Sequence, residues 1–278
     1  KQNRSHHEYT CAAFLRREFF VALFGGEAPE AKPLPAGMAL APPDVDELRA
    51  RAALVALETG PTNDLPAPPI NMSAHSVSCD SDGWEARAFE LFEAHGFVIV
   101  DDLLKLHQVN AVFNDCERIG KEIVGEERRG NRGPGRYSFG TASSTGSMLH
   151  VASFARHLLD GAGVVLRPLL DRIFEGGTRP GFMAYAAGGD FVLGDVRTQQ
   201  ALHSDIRIGL SLNRPLPPPM LSVNFSVQDI TEMNGAMRIA PGTQVLGGVK
   251  GAGKFGDVES FRLCPLNAGA AIIRDVRV

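Results

Sequence analysis

Leu221-Ser222-Val223-Asn224-Phe225-Ser226-Val227-Gln228 alternates apolar and polar residues throughout. That is the period of a strand whose two faces meet different surroundings. Downstream, Asn234-Gly235 reads as a tight turn and Ala236-Met237-Arg238-Ile239 as a second strand. Pro241-Gly242 then turns the chain before Thr243 and Gln244. A strand, a turn, a strand and a turn in close succession make this part of the chain antiparallel β-structure.

Working outward, the region beyond Gly181 is a series of short strand signals split by Gly and Pro. Besides Leu221–Gln228 and Ala236–Ile239, strands are expected at Phe182–Ala187, Phe191–Leu193, Gln200–Leu202, Ile206–Leu210 and Ala270–Ile273. Such spacing suits a double-sheet jelly roll or barrel. The preceding region is helical. Helices are expected from Trp84 to Ala94, capped by Asp82 and closed by Gly96, and from about Leu103 to Val124. A third runs from about His150 to Phe174 with a kink at Pro168. Phe97-Val98-Ile99-Val100 is a strand, and glycine-rich Gly130–Gly146 is a long loop near the site. Helices first and strands afterwards define an α+β layout.

Residues 1–79 have a different composition. A helix from Ala12 to Phe24 and another from Asp44 to about Glu58 are separated by linkers rich in Pro and Ala. This N-terminal extension suits a partner-docking segment, the tail of a preceding domain, or a poorly ordered leader. Residues 80–278 form the main domain. The chain starts at Lys1 and stops at Val278, and both ends read as cut from something longer.

The formal net charge of -4 removes any reason to expect nucleic acid. Arg128, Arg129, Arg132 and Arg136 are interrupted by glycines rather than forming a basic run. Cys11, Cys79, Cys116 and Cys264 lack the paired spacing of a zinc module or disulfide framework, so a cytoplasmic, reducing setting is only the default and localisation stays unknown. No apolar run reaches the ~18 residues that span a bilayer.

The chemistry centres on His203-Ser204-Asp205. On a strand, residues two apart share a face, so an imidazole and a carboxylate stand side by side. Together they supply two adjacent positions of the facial arrangement used by non-haem Fe(II) oxygenases. A hydrogen-bonded structural histidine is the competing reading of so short a motif.

The surrounding residues resemble the phytanoyl-CoA dioxygenase family of 2-oxoglutarate oxygenases. The likeness rests on His203-x-Asp205, the strand Asn224-Phe225-Ser226-Val227-Gln228-Asp229, and Asn234-Gly235-x-x-Arg238-x-x-Pro241-Gly242-Thr243-Gln244. Gln244 stands where His is common in the family. The helix and strand from Phe89 to Leu104 also look like the family's opening elements, so the resemblance covers about residues 84–278. It implies a double-stranded β-helix (jelly-roll, cupin-like) core with N-terminal flanking helices. It implies Fe(II) held by His203 and Asp205, 2-oxoglutarate and O₂ as co-substrates, and hydroxylation of a small-molecule or lipid-like substrate.

The family's third ligand is a distal histidine, reached through a segment that here reads Ala268-Gly269-Ala270-Ala271-Ile272-Ile273-Arg274-Asp275-Val276-Arg277-Val278. No histidine follows His203. By motif spacing, the ligand is expected about two residues past Val278, with the basic partner of 2-oxoglutarate further along. Truncation is the expectation, which leaves this fragment inactive; a metal-free jelly-roll binding or scaffold module (a pseudoenzyme) is the alternative. An iron halogenase would carry a small residue in place of Asp205.

Other candidates are weaker. Gln200 and Asn224 suit co-substrate contacts, as does Gln199, with surface exposure the competing reading. Arg207 continues the alternation past Asp205 and fits either an acidic substrate group or the barrel mouth. Arg238 fits the pocket or an ion pair, and Tyr137 fits a lid over the substrate.

Overall fold

The computed structural model describes residues 7–17, 69–124, 131–133, 135–140, 147–174, 182–193, 217–218, 220–232, 234–244 and 261–278, with the backbone alone for 7–17, 131–133 and 193. These residues form a mixed helix-and-sheet structure. Its strands are β1 (His7–Arg17), β2 (Ser76–Ser78), β3 (Phe97–Asp101), β4 (Asn131–Gly133), β5 (Arg136–Gly140), β6 (Phe182–Leu193), β7 (Met220–Ser226), β8 (Met237–Ile239), β9 (Arg262–Cys264) and β10 (Ala271–Asp275). Its helices are α1 (Met72–His75), α2 (Trp84–His95), α3 (Leu106–Val124) and α4 (Gly163–Phe174), the last preceded by a π-helical run, Phe154–Ala162.

Eight strands make one sheet in the order β2-β3-β10-β7-β1-β6-β5-β4, and β8 pairs with β9 in a second. Only β2–β3 is parallel among the ladders of the large sheet. Both faces of the large sheet are covered. On one side, Val98, Val100, Leu221, Val223, Phe225, Ala271 and Ile273 join the helices in the larger core cluster. On the other, Phe97, Ile99 and Ile272 pack with Ile239, Cys264 and Leu266 of the β8–β9 layer. Burying each such Ile, Phe or Leu is worth about 1.5–3 kcal/mol.

α3 follows its periodicity: Val109, Val112, Cys116, Ile119 and Ile123 are buried and recur at three- and four-residue steps. It starts at Leu106, where the Gln108 side chain accepts the Lys105 N–H at 2.8 Å, three residues after the expected start. α2 begins at Trp84 as expected, but the residue before it is Gly83 (φ +68°), not an Asp82 cap. Its C-terminal residue is followed by Gly96 at φ +78°, a conformation that glycine adopts at little cost.

Four expectations are corrected. The segment expected as a helix from Ala12 is extended as far as Arg17, because strands β6 and β7 offer it backbone partners along both edges; residues 18–24 lie outside the described residues. The glycine-rich stretch expected as a loop contains the β4–β5 hairpin at the sheet edge. Phe182–Ala187 and Phe191–Leu193 are one strand running through Gly188-Gly189. The helix expected to bend only at Pro168 is π-helical before Gly163, whose N–H reaches back to the carbonyl of Leu158. β2 and β9 were not anticipated. The helix expected at 44–58 and the strands expected at 200–202 and 206–210 lie outside the described residues.

Candidate metal centre

His203 and Asp205 lie outside the described residues, as do Gln200 and Arg207. The described residues include one candidate wall for such a site, a strip of buried polar side chains on β7 and β10. β7 sends Leu221, Val223 and Phe225 into the helical layer. Its alternate residues Ser222, Asn224 and Ser226 therefore point toward the β8–β9 side, and all three are buried. In register with Ser222 on β10 stands Arg274, also buried, and Ile272 lies beside Asn224. The result is a strip of hydrogen-bonding side chains in an otherwise apolar layer. Burying such groups costs free energy unless each finds a partner. The Ser222 hydroxyl donates to Asn224 Oδ1 at 2.7 Å, and the Ser226 hydroxyl donates to the Gln228 carbonyl.

At the end of β10, Asp275 and Arg277 form an ion pair with almost no exposure, 0% and 1%. Arg277 Nε lies 2.9 Å from Asp275 Oδ1 and Nη2 lies 2.5 Å from Oδ2. The Arg277 backbone N–H adds a third contact, 3.0 Å from Oδ1. The Asp275 N–H donates to the carbonyl of Gly96, tying this end of β10 to the start of β3.

The turn segment after β8 docks on the same corner. Gly242 N–H donates to the His95 carbonyl at 2.8 Å, and Gln244 Nε2 donates to the Glu93 carbonyl at 3.2 Å. These bonds occupy carbonyls at the C-terminal end of α2, which have no partner within the helix. Gln244, in the position where the family commonly has His, thus acts as a latch between the turn and α2.

The remaining candidates sit elsewhere. Tyr137 is buried in the helix-side cluster, its ring stacked on Phe191 at 5.1 Å. Its neighbour Ser138 faces the other way and bonds the Asp190 carboxylate. Arg238 alternates with Met237 and Ile239, which pack on the second cluster, and its guanidinium lies 5.4 Å from the Phe261 ring centre. A cavity of about 650 Å³ opens on the helix side, lined by Leu158, Leu166, Leu170, Phe182, Val223 and Phe225. It is on the opposite face of the sheet from the Ser222–Asn224 strip, so it is no part of that wall.

Ionisation around the wall is governed by burial. The Cys264 thiol is pushed up to about 12 by desolvation, which keeps it neutral and a poor ligand. Burial raises the Asp101 carboxyl, opposed by a hydrogen bond from Ser76. Burial lowers His95, helped by the nearby His75 and Arg87. Among the described residues no group of three or more His, Cys, Asp or Glu could hold a metal ion, and no helix is long and apolar enough to cross a membrane.

His203 and Asp205 offer one nitrogen and one oxygen donor two residues apart, hard and borderline ligands of the type that non-haem iron takes. Sequence reasoning did not single out Ser222 or Arg274 for this buried strip, the first because a strand serine has no signature of its own. Arg274 is the charged residue that directly follows the apolar run Ala270-Ala271-Ile272-Ile273, and that was the available signal.

A mixed helix-and-sheet domain whose central sheet is covered on both faces, with a buried polar strip on one of them, suits an enzyme that keeps its chemistry away from water. The chain matches the model of the phytanoyl-CoA dioxygenase (PhyH) family over residues 92–278, more than half its length, and belongs to that family. Membership makes it, at a coarse level, a member of a dioxygenase family of the iron and 2-oxoglutarate type. No curated protein matches the chain.

Proposed function

We infer that the protein is an Fe(II)- and 2-oxoglutarate-dependent dioxygenase that hydroxylates a small-molecule or lipid-like substrate with O₂. The observation that carries this reading is the family match, which spans His203-x-Asp205 and the Asn234–Gln244 motif together. The buried Ser222–Asn224 strip supports it, since a site wall needs polar groups inside an apolar layer. The core is read as a double-stranded β-helix, with the β8–β9 layer belonging to its second sheet.

When bound, iron with 2-oxoglutarate and O₂ supplies the oxidation of an unactivated C–H bond. His203 would hold the metal through a ring nitrogen, and Asp205 would offset part of its charge with its carboxylate. Asn224 and Gln200 would orient the co-substrate, and Arg207 would pair with an acidic group of the substrate. The apolar packing around the strip excludes water. The stacking of Tyr137 on Phe191 and the place of Arg238 beside Phe261 support packing roles for both, next to the substrate contacts expected of them.

A second reading is a metal-free binding module on the same fold. One experiment separates the two. The protein, loaded anaerobically with Fe(II) and 2-oxoglutarate, should show the weak visible charge-transfer band of the chelate, and Asp205→Ala should abolish it. No band in the parent protein would favour the binding module. A band that survives Asp205→Ala would remove Asp205 from the ligand set.

A further inference from the structure

Among the described residues, the large sheet is continuous only because of the strand β1. β1 pairs with β6 along all eleven of its residues, from His7 opposite Leu193 to Arg17 opposite Phe182. On its other edge, Thr10–Arg16 pairs with β7 from Ser226 back to Met220. β6 and β7 share no ladder with each other; each meets β1 instead. A single bulge between Phe14 and Leu15 is the only irregularity in these pairings.

Every other strand of this sheet comes from residues 76–275. β1 is separated from them by residues 18–68, so its ladder with β6 closes a loop of more than 150 residues. Loop closure on that scale costs entropy before any contact is gained, which makes β1 the natural last strand to join. Without it, β6 and β7 would each present a row of unpaired N–H and C=O groups. Both rims are apolar on the helix side, through Phe182, Phe191, Val223 and Phe225. A gap one strand wide, bordered by two edges that need partners, is a receptor for an extended peptide.

We propose that the gap between β6 and β7 is a strand-binding site whose occupant is the N-terminal segment His7–Arg17 of the same chain, held as a separable, exchangeable strand. The N-terminal region is then a complement that finishes the sheet. The connecting residues raise its effective concentration, and the bound strand can be exchanged for a free peptide of the same sequence. Because β1 is paired on both edges, its N–H groups over Thr10–Arg16 are used by one neighbour or the other, and proline there removes a ladder bond.

The test uses the whole chain with a specific protease site inserted between Gly26 and Glu27. After cleavage, residues 1–26 should co-elute with the remainder. A fluorescent His7–Arg17 peptide should then replace them with one-to-one stoichiometry. The same peptide carrying Ala12→Pro and Phe14→Pro should bind at least ~10-fold more weakly. In the uncut chain, amides of residues 8–16 should exchange with solvent as slowly as those of β6 and β7. The proposal is overturned if the fragment elutes free, or if those amides exchange as fast as in the isolated peptide. A strand shared only between two copies, seen as a dimer of the uncut chain with no intramolecular retention, would overturn the assignment to the same chain.

Discussion

Arg277 grips both carboxylate oxygens of Asp275, two residues before it, in a pair that solvent does not reach. The geometry is a fork around a corner: the chain leaves β10, turns, and brings the guanidinium back onto the strand's last side chain. The same aspartate anchors the turn through the Arg277 N–H. Asp275-Val276-Arg277 is therefore a structural staple at the end of the strand that borders the candidate site wall.

Removing one partner leaves the other charge buried. Arg277→Met should cost about 3–5 kcal/mol of folding stability, because an uncompensated buried carboxylate is far worse than an absent pair. The double variant Asp275→Leu with Arg277→Met should recover much of that loss. Urea denaturation of the three proteins checks it, and a single variant as stable as the parent would mean the pair contributes nothing to the fold.

Gly140 and Gly188 face each other across β5 and β6. A Cβ on Gly188 would stand 2.2 Å from the Phe139 carbonyl oxygen and 2.9 Å from the Gly140 Cα. Backbone cannot yield as a side-chain tip does, so Gly188→Ala should push β5 off β6 and lose about 1–3 kcal/mol. Thermal melting should show the loss. Amide exchange should show it concentrated in Arg136–Gly140; unchanged protection there would contradict the close approach.

His95 makes the fold sensitive to mild acid. Burial first, then the His75 ring at 4.4 Å and the charge of Arg87, hold its pKa below the ordinary 6.5. As pH falls through 6.5, the unfolded chain takes up the proton before the folded one does, so stability declines from there until the folded pKa is passed. His95→Gln should flatten that part of the profile. Urea midpoints measured from pH 7.5 down to 5 decide the point, and an equal slope in the variant would assign the effect to another group.

The sequence by itself determined the elements whose signal is local. The three- and four-residue recurrence of Val109, Val112, Cys116 and Ile119 made α3 legible, and the alternation of Leu221–Gln228 made β7 legible. Motif spacing likewise exposed the family, and it singled out His203 and Asp205 as candidates. Only the tertiary structure decided what each face of β7 meets, that Asp275 and Arg277 close on each other, and that His7–Arg17 is a strand. The last case shows the reason. Its local pattern fits a helix, but a strand's free energy lies in ladders to residues far away in sequence, and a gap between β6 and β7 is not written in any window around Ala12.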